Sequence, residues 1–162
     1  LSGKSDAHTK LDMVYALPCN ASDFSDNGWL IHNYGEETVV APGEDVYVGL
    51  EKGDMSVAVT LSNPYTTEDI ALEDSLVTSI SISGYNGTDA ASTYIANGIH
   101  IGSSYDDLIA CYGEPTEVNE VEGYEEEAYT YVTYLVDPDD YYASTTIYFT
   151  DDFIDNIIIS NH

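Results

Sequence analysis

The 162-residue chain has no arginine and only three lysines, Lys4, Lys10 and Lys52, against 30 acidic residues. From Gly53 to His162 there is no Lys or Arg, and the formal net charge is −27. Binding a DNA or RNA backbone requires cations to neutralise phosphates, so this balance excludes nucleic acid as a partner. It excludes anionic membrane surfaces on the same ground. A cationic partner, a neutral glycan surface or a divalent cation stays compatible with it. So does a plain role of the charge in keeping the chain dispersed and monomeric. No stretch is long and apolar enough to span a bilayer as a helix.

Cysteine is scarce. Cys19 and Cys111 stand far apart and no C-x-x-C motif occurs, which excludes zinc-ribbon and thioredoxin-like sites. In an oxidising compartment the pair could close one disulfide, stabilising by roughly 4 kcal/mol in the chain-entropy model. A free thiol at the edge of an apolar stripe is equally ordinary for Cys111.

Catalytic and metal motifs are missing as well. The histidines are His8, His32, His100 and His162, and no G-x-S-x-G elbow accompanies them. His100 lies beside Ser103 and Ser104, and is read as a solvent-facing strand residue rather than a triad base. There is no H-E-x-x-H and no EF-hand loop. Asp137-Pro138-Asp139-Asp140 and Asp151-Asp152-x-x-Asp155 could offer oxygens to Ca²⁺, but neither alone meets its ligand number. Both are read as solvated turns. Gly-rich phosphate cradles are absent, and Glu120 to Glu127 reads as a self-repelling loop. The expectation is a protein that is not an enzyme and has no metal site and no cofactor.

What is present is a globular pattern, with 43% hydrophobic residues. The clearest stretch is Gly98 to Val118. Ile99 and Ile101 alternate with His100 and Gly102 as in a short strand. Ser103 suits an N-cap with Asp106 as its capping-box partner. Tyr105, Leu108, Ile109 and Tyr112 recur at helical spacing, and Gly113 and Pro115 stop the helix. Earlier, Val14 to Leu17 starts a strand, and Asn20 or Ser22 caps a short helical turn closed by Gly28. Val46, Val48 and Leu50, then Met55, Val57, Val59 and Leu61, alternate with small or polar residues and predict a hairpin. Its outer face, Ser56, Ala58 and Thr60, looks inert. Leu76 to Ile82 adds a strand with Ile80 and Ile82 inward. Ala128 to Val136, Ser144 to Thr150 and Phe153 to Ser160 add three more.

These elements predict an α+β chain of two helix-plus-antiparallel-sheet repeats. Residues 1–11 are a frayed terminus, 12–83 the first unit, 84–97 a linker and 98–162 the second. The final strands of the units, Val77 to Ser83 and Ile154 to Ser160, match in parity, as an internal duplication would leave them.

The series Ile99-x-Ile101-Gly102-x-Ser104-Tyr105-Asp106-Asp107-Leu108, followed by Tyr112-Gly113-Glu114-Pro115 and three strands, resembles small extracytoplasmic lipoprotein domains of the SmpA/OmlA (BamE-like) type. The tandem arrangement looks like the β-lactamase inhibitory protein architecture. That resemblance implies a domain that binds other proteins and has no catalytic residues. Its extreme acidity and short first helix depart from the family pattern.

Tyrosine is the remaining signal, with 15 Tyr against three Phe and one Trp. Alternation places Tyr148 opposite the core-facing Ile147 and Phe149. Tyr129 and Tyr131 share one face of their own strand and could lie beside it. Tyr carries large contact area at low entropic cost, so Tyr129, Tyr131 and Tyr148 are the candidate partner-binding residues. High strand propensity alone would also place Tyr there. The chain begins with Leu1 rather than Met, as a trimmed mature form or an expressed fragment does. The functional expectation is a monomeric, extracytoplasmic interaction module of a secreted or lipid-anchored bacterial protein. Its partner is another protein or a cell-wall component. The alternative is a cell-wall glycan- or Ca²⁺-dependent binding protein.

Overall fold

The computed structural model describes residues 8–10, 14–33, 35, 37–53, 55–83, 94–121, 129–137 and 139–161. In chain order the elements are β1 (His8–Lys10), β2 (Val14–Ala16), β3 (Cys19–Asn20), α1 (Ala21–Ser25), β4 (Leu30–His32) and β5 (Val39–Val40). Then come β6 (Asp45–Lys52), β7 (Met55–Ser62), β8 (Ile70–Ala71), β9 (Leu76–Ser83) and β10 (Tyr94–Ile95). They are followed by α2 (Tyr105–Tyr112), β11 (Glu117–Val121), β12 (Tyr129–Asp137), β13 (Asp140–Thr150) and β14 (Phe153–Asn161).

One antiparallel sheet of nine strands dominates, ordered β11-β12-β13-β14-β9-β7-β6-β4, with β3 also paired to β9. β10, β1 and β2 form a small second sheet, and β5 pairs with β8. No helix among the described residues is long and apolar enough to cross a membrane.

This architecture corrects the expected α+β class of two helix-plus-sheet repeats. The described residues are 57% strand and 15% helical, with only two α-helices among them, and the sheet is mostly antiparallel β. Val77 to Ser83 and Ile154 to Ser160, which the repeat reading aligns, are direct neighbours. Ile80 lies opposite Ile159 and Ile82 opposite Ile157. A period-2 pattern fixes which face of a strand is apolar but leaves open which strand lies beside it. Isoleucine meets isoleucine on the core face, while Ser79, Ser81 and Ser83 lie opposite Ser160, Ile158 and Asn156 on the other, and the strands merge into one sheet.

The hydrophobic core lies on one face of that sheet. Val48, Leu50, Val57, Val59, Leu61, Ile80, Ile82, Val132, Ile147, Phe149, Ile157 and Ile159 are all buried in it. Phe24 of α1 and Leu108 of α2 are fully buried in the same cluster, so both helices sit on this face. Trp29 joins it edge-on to Phe24, ring centroids 6.0 Å apart.

α1 is only five residues long. Asn20 is its N-cap, and the Asn20 amide donates to Asp23 Oδ2 at 3.2 Å. Gly28, at φ +84°, turns the chain out of the helix toward Trp29. In α2 the N-cap is Ser104, one residue later than expected. Asp107 N donates to Ser104 Oγ at 3.1 Å, and Ser104 N donates to Asp107 Oδ2 at 3.2 Å. Ser103 is used elsewhere, since its Oγ accepts from His100 N and its carbonyl accepts from Ile154 N of β14. Tertiary contact thus chooses between two serines that local sequence fits equally.

Further expectations are corrected. Ile99 to Ile101 is not a strand. Gly98 and Gly102, at φ +81° and +88°, close turns on either side. Ile99 is still buried, as its alternation requires. Residues 8–10 of the terminus expected to fray are paired in β1, and Glu120 lies in β11 rather than in a loop. The rest of that acidic run, residues 122–127, lies outside the described residues, as do 84–93 of the expected linker; Tyr94–Ile95 is a strand.

Candidate functional site

The opposite face of the sheet is where the tyrosines gather. On β12, Val132 and Tyr134 point into the core, which leaves Tyr129, Tyr131 and Thr133 on the other side. On β13, Ile147 and Phe149 are buried, which leaves Thr146, Tyr148 and Thr150. Tyr131 lies directly opposite Tyr148, and Asn119 of β11 opposite Tyr131. Asn156 of β14 lies opposite both Tyr148 and Ser83.

The three tyrosines singled out from alternation therefore form one contiguous cluster. The Tyr148 ring is centred 5.4 Å from that of Tyr131 and 6.2 Å from that of Tyr129, with planes 32° and 40° apart. Tyr129 is exposed, and Tyr131 and Tyr148 are half-buried. Burial pushes the Tyr148 phenol above its ordinary value, and the neighbouring phenols of Tyr129 and Tyr131 add to the shift.

Its surroundings mix hydroxyls and amides with Val121, opposite Tyr129, and Ile158, opposite Thr146. Ser81 Oγ donates to Asn156 Oδ1 at 3.1 Å, and the Ser79 and Ser160 hydroxyls meet at 3.1 Å. Two carboxylates flank the rings. Glu117 of β11 lies opposite Thr133, on the face that carries Tyr131. Asp155 accepts from Thr150 Oγ1 at 2.6 Å, and Thr150 is two residues along β13 from Tyr148. Alternation alone shows the three tyrosines. Glu117, Asn119 and Asn156 escape it, because only the register of β11 and β14 brings them alongside.

The remaining candidate residues are dispersed. Cys19 and Cys111 are both free thiols, so the disulfide their number allowed is not made. Cys19 is half-buried at the edge of β9, whereas Cys111 is exposed on α2. His100 donates from Nδ1 to the Ile101 carbonyl at 2.6 Å, which ties it to its own turn. His32 Nδ1 lies 3.7 Å from Glu51 Oε1 on exposed β-strands. Asp137 Oδ1 accepts from Asp139 N at 3.0 Å, as a side-chain-capped turn does. Asp151 and Asp152, at φ +51° and +67°, make the two-residue turn between β13 and β14. No group of three or more His, Cys, Asp or Glu among the described residues is arranged to hold a metal ion.

A cavity of about 500 Å³ opens on the helix side, lined by Tyr105, Val118, Glu120, Thr130, Phe149, Asp151 and Asp152. A second, of about 570 Å³, lies along Val39, Ala41 and Val46 with Glu37, Glu44 and Asp45. No protein-family model, curated protein or solved structure matches the chain.

Proposed function

We propose that the chain is a non-catalytic interaction module. It acts outside the cytoplasm as part of a secreted or lipid-anchored bacterial protein, and recognises another protein through the Tyr129–Tyr131–Tyr148 end of its open sheet face. The observation that carries this reading is the contiguity of the three rings on the face opposite the main hydrophobic cluster. Contiguous tyrosine surface combines apolar area with hydroxyls and few rotatable bonds, the composition favoured where proteins recognise one another. A phenol held above its ordinary value offers contact and hydrogen bonding rather than proton transfer near neutrality.

The test uses the immobilised chain to capture a partner from an extracellular protein fraction, followed by titration of the purified partner. Tyr131→Ala with Tyr148→Ala is expected to abolish binding while the melting temperature holds. Undiminished binding by that variant overturns the reading.

A further inference from the structure

We infer that the segment docking on this face is cationic: a Lys- or Arg-bearing stretch of the partner lays its side chains over the rings of Tyr131 and Tyr148, between the carboxylates of Glu117 and Asp155. The inference rests on the reading of the tyrosine face and adds the chemistry of what that face receives.

Charge complementarity carries it. The half of the chain that builds the site supplies no cation of its own, since Lys and Arg are absent from Gly53 onward. Lys52 lies in β6, four strands from β13 in the sheet order, and its Nζ donates to the Asn27 carbonyl at 2.5 Å. The faces of phenol rings carry negative quadrupole density and attract ammonium and guanidinium groups. Here the rings of Tyr129 and Tyr131 each lie within 6.2 Å of the ring of Tyr148. Glu117 and Asp155, both half-buried, stand on the same face on either side of them. A cation arriving at the rings thus meets π surface below it and a carboxylate on each flank.

The whole-molecule field acts in the same direction. A net charge of −27 steers cations in and repels anionic occupants, including a second copy of this chain. An apolar ring cluster within such a field selects for a partner that brings both stem methylenes and positive charge, as Lys and Arg do.

The test is a fluorescence-anisotropy titration at physiological salt with three probes. One is a labelled peptide alternating Lys and Arg with Gly and Ser, another its Glu counterpart, and the last a labelled chitooligosaccharide. The cationic peptide is expected to bind and the Glu peptide not. Tyr131→Ala with Tyr148→Ala should weaken the cationic peptide by about tenfold, the size of a lost cation–π contact. Tyr131→Leu with Tyr148→Leu, which keeps apolar volume but removes the π face, should do the same and covers the case where the alanine variant folds poorly. Glu117→Gln with Asp155→Asn should weaken it several-fold. Tyr47→Ala with Tyr65→Ala, which alters two exposed tyrosines away from the cluster, should leave it unchanged. If the site variants bind the cationic peptide as the parent does, the attraction is diffuse and the inference falls. If the chitooligosaccharide binds in a Tyr131- and Tyr148-dependent way and the cationic peptide does not, the cationic occupant falls while the tyrosine face stands as the binding surface. If a purified partner ignores Tyr131 and Tyr148 altogether, the underlying reading falls with it.

Discussion

Cys19 shows how the environment of one residue sets its chemistry. Burial pushes its thiol up to about 12, and the charge of Asp23 on the neighbouring helical turn adds to the shift. The folded value therefore lies above the unfolded one. The stability this contributes is complete below pH 9 and is lost as pH rises toward 12. Because the thiolate is the reactive form, iodoacetamide at pH 8 should modify exposed Cys111 rapidly and Cys19 only on unfolding. Mass spectrometry of the alkylated chain checks this, and equal rates at the two thiols would contradict it. Tyr134 has the same sign: burial pushes it up to about 12, with its hydroxyl donating to the Gly113 carbonyl at 2.8 Å. Neither feature is legible in sequence. A cysteine's burial depends on which strand it lies beside, and the acceptor of Tyr134 lies 21 residues away.

At the scale of elements, α2 is the best test of local signals. Ser104→Ala removes the acceptor for Asp107 N and should cost about 1 kcal/mol, seen as a lower melting temperature. The same change removes the larger of the two hydrogen bonds, from the Ser104 hydroxyl and amide, that hold the Asp107 carboxyl below its ordinary value. A depressed carboxyl contributes stability above its unfolded value of 3.8 that is lost as pH falls through the folded one. An NMR pH titration of Asp107 should show it returning toward the ordinary range in the variant. The sequence Ser103-Ser104-Tyr105-Asp106-Asp107 holds two overlapping capping boxes, so the helix was legible but its first residue was not. Likewise Val46 to Leu61 was legible as a hairpin, with Val48 paired to Val59 as the alternation demands. β11 was not, because Glu117, Asn119 and Glu120 are weak strand formers and only pairing to β12 holds them extended. The tyrosine cluster was legible because alternation fixes faces; the flanking Glu117 and Asp155 were not, because alternation does not fix neighbours.

At the scale of the molecule the charge dominates. Thirty carboxylates on a chain with three lysines repel one another at neutral pH. Added sodium chloride screens that repulsion, so the melting temperature should rise between about 10 mM and 1 M salt, over which the Debye length falls from about 30 Å to 3 Å. Calorimetric scans across that series check this, and a melting temperature that falls with salt would contradict it. The repulsion also opposes self-association, in keeping with the cationic partner inferred for the tyrosine face.

The pairing of β9, near the middle of the chain, with β14, at its end, ties the two halves into one fabric. Each strand shields what would otherwise be a long aliphatic-backed rim of open amides and carbonyls, the kind of rim that recruits other chains into fibrils. The join between the halves thus protects against aggregation, and the molecule keeps its solubility only while those two halves stay zipped together.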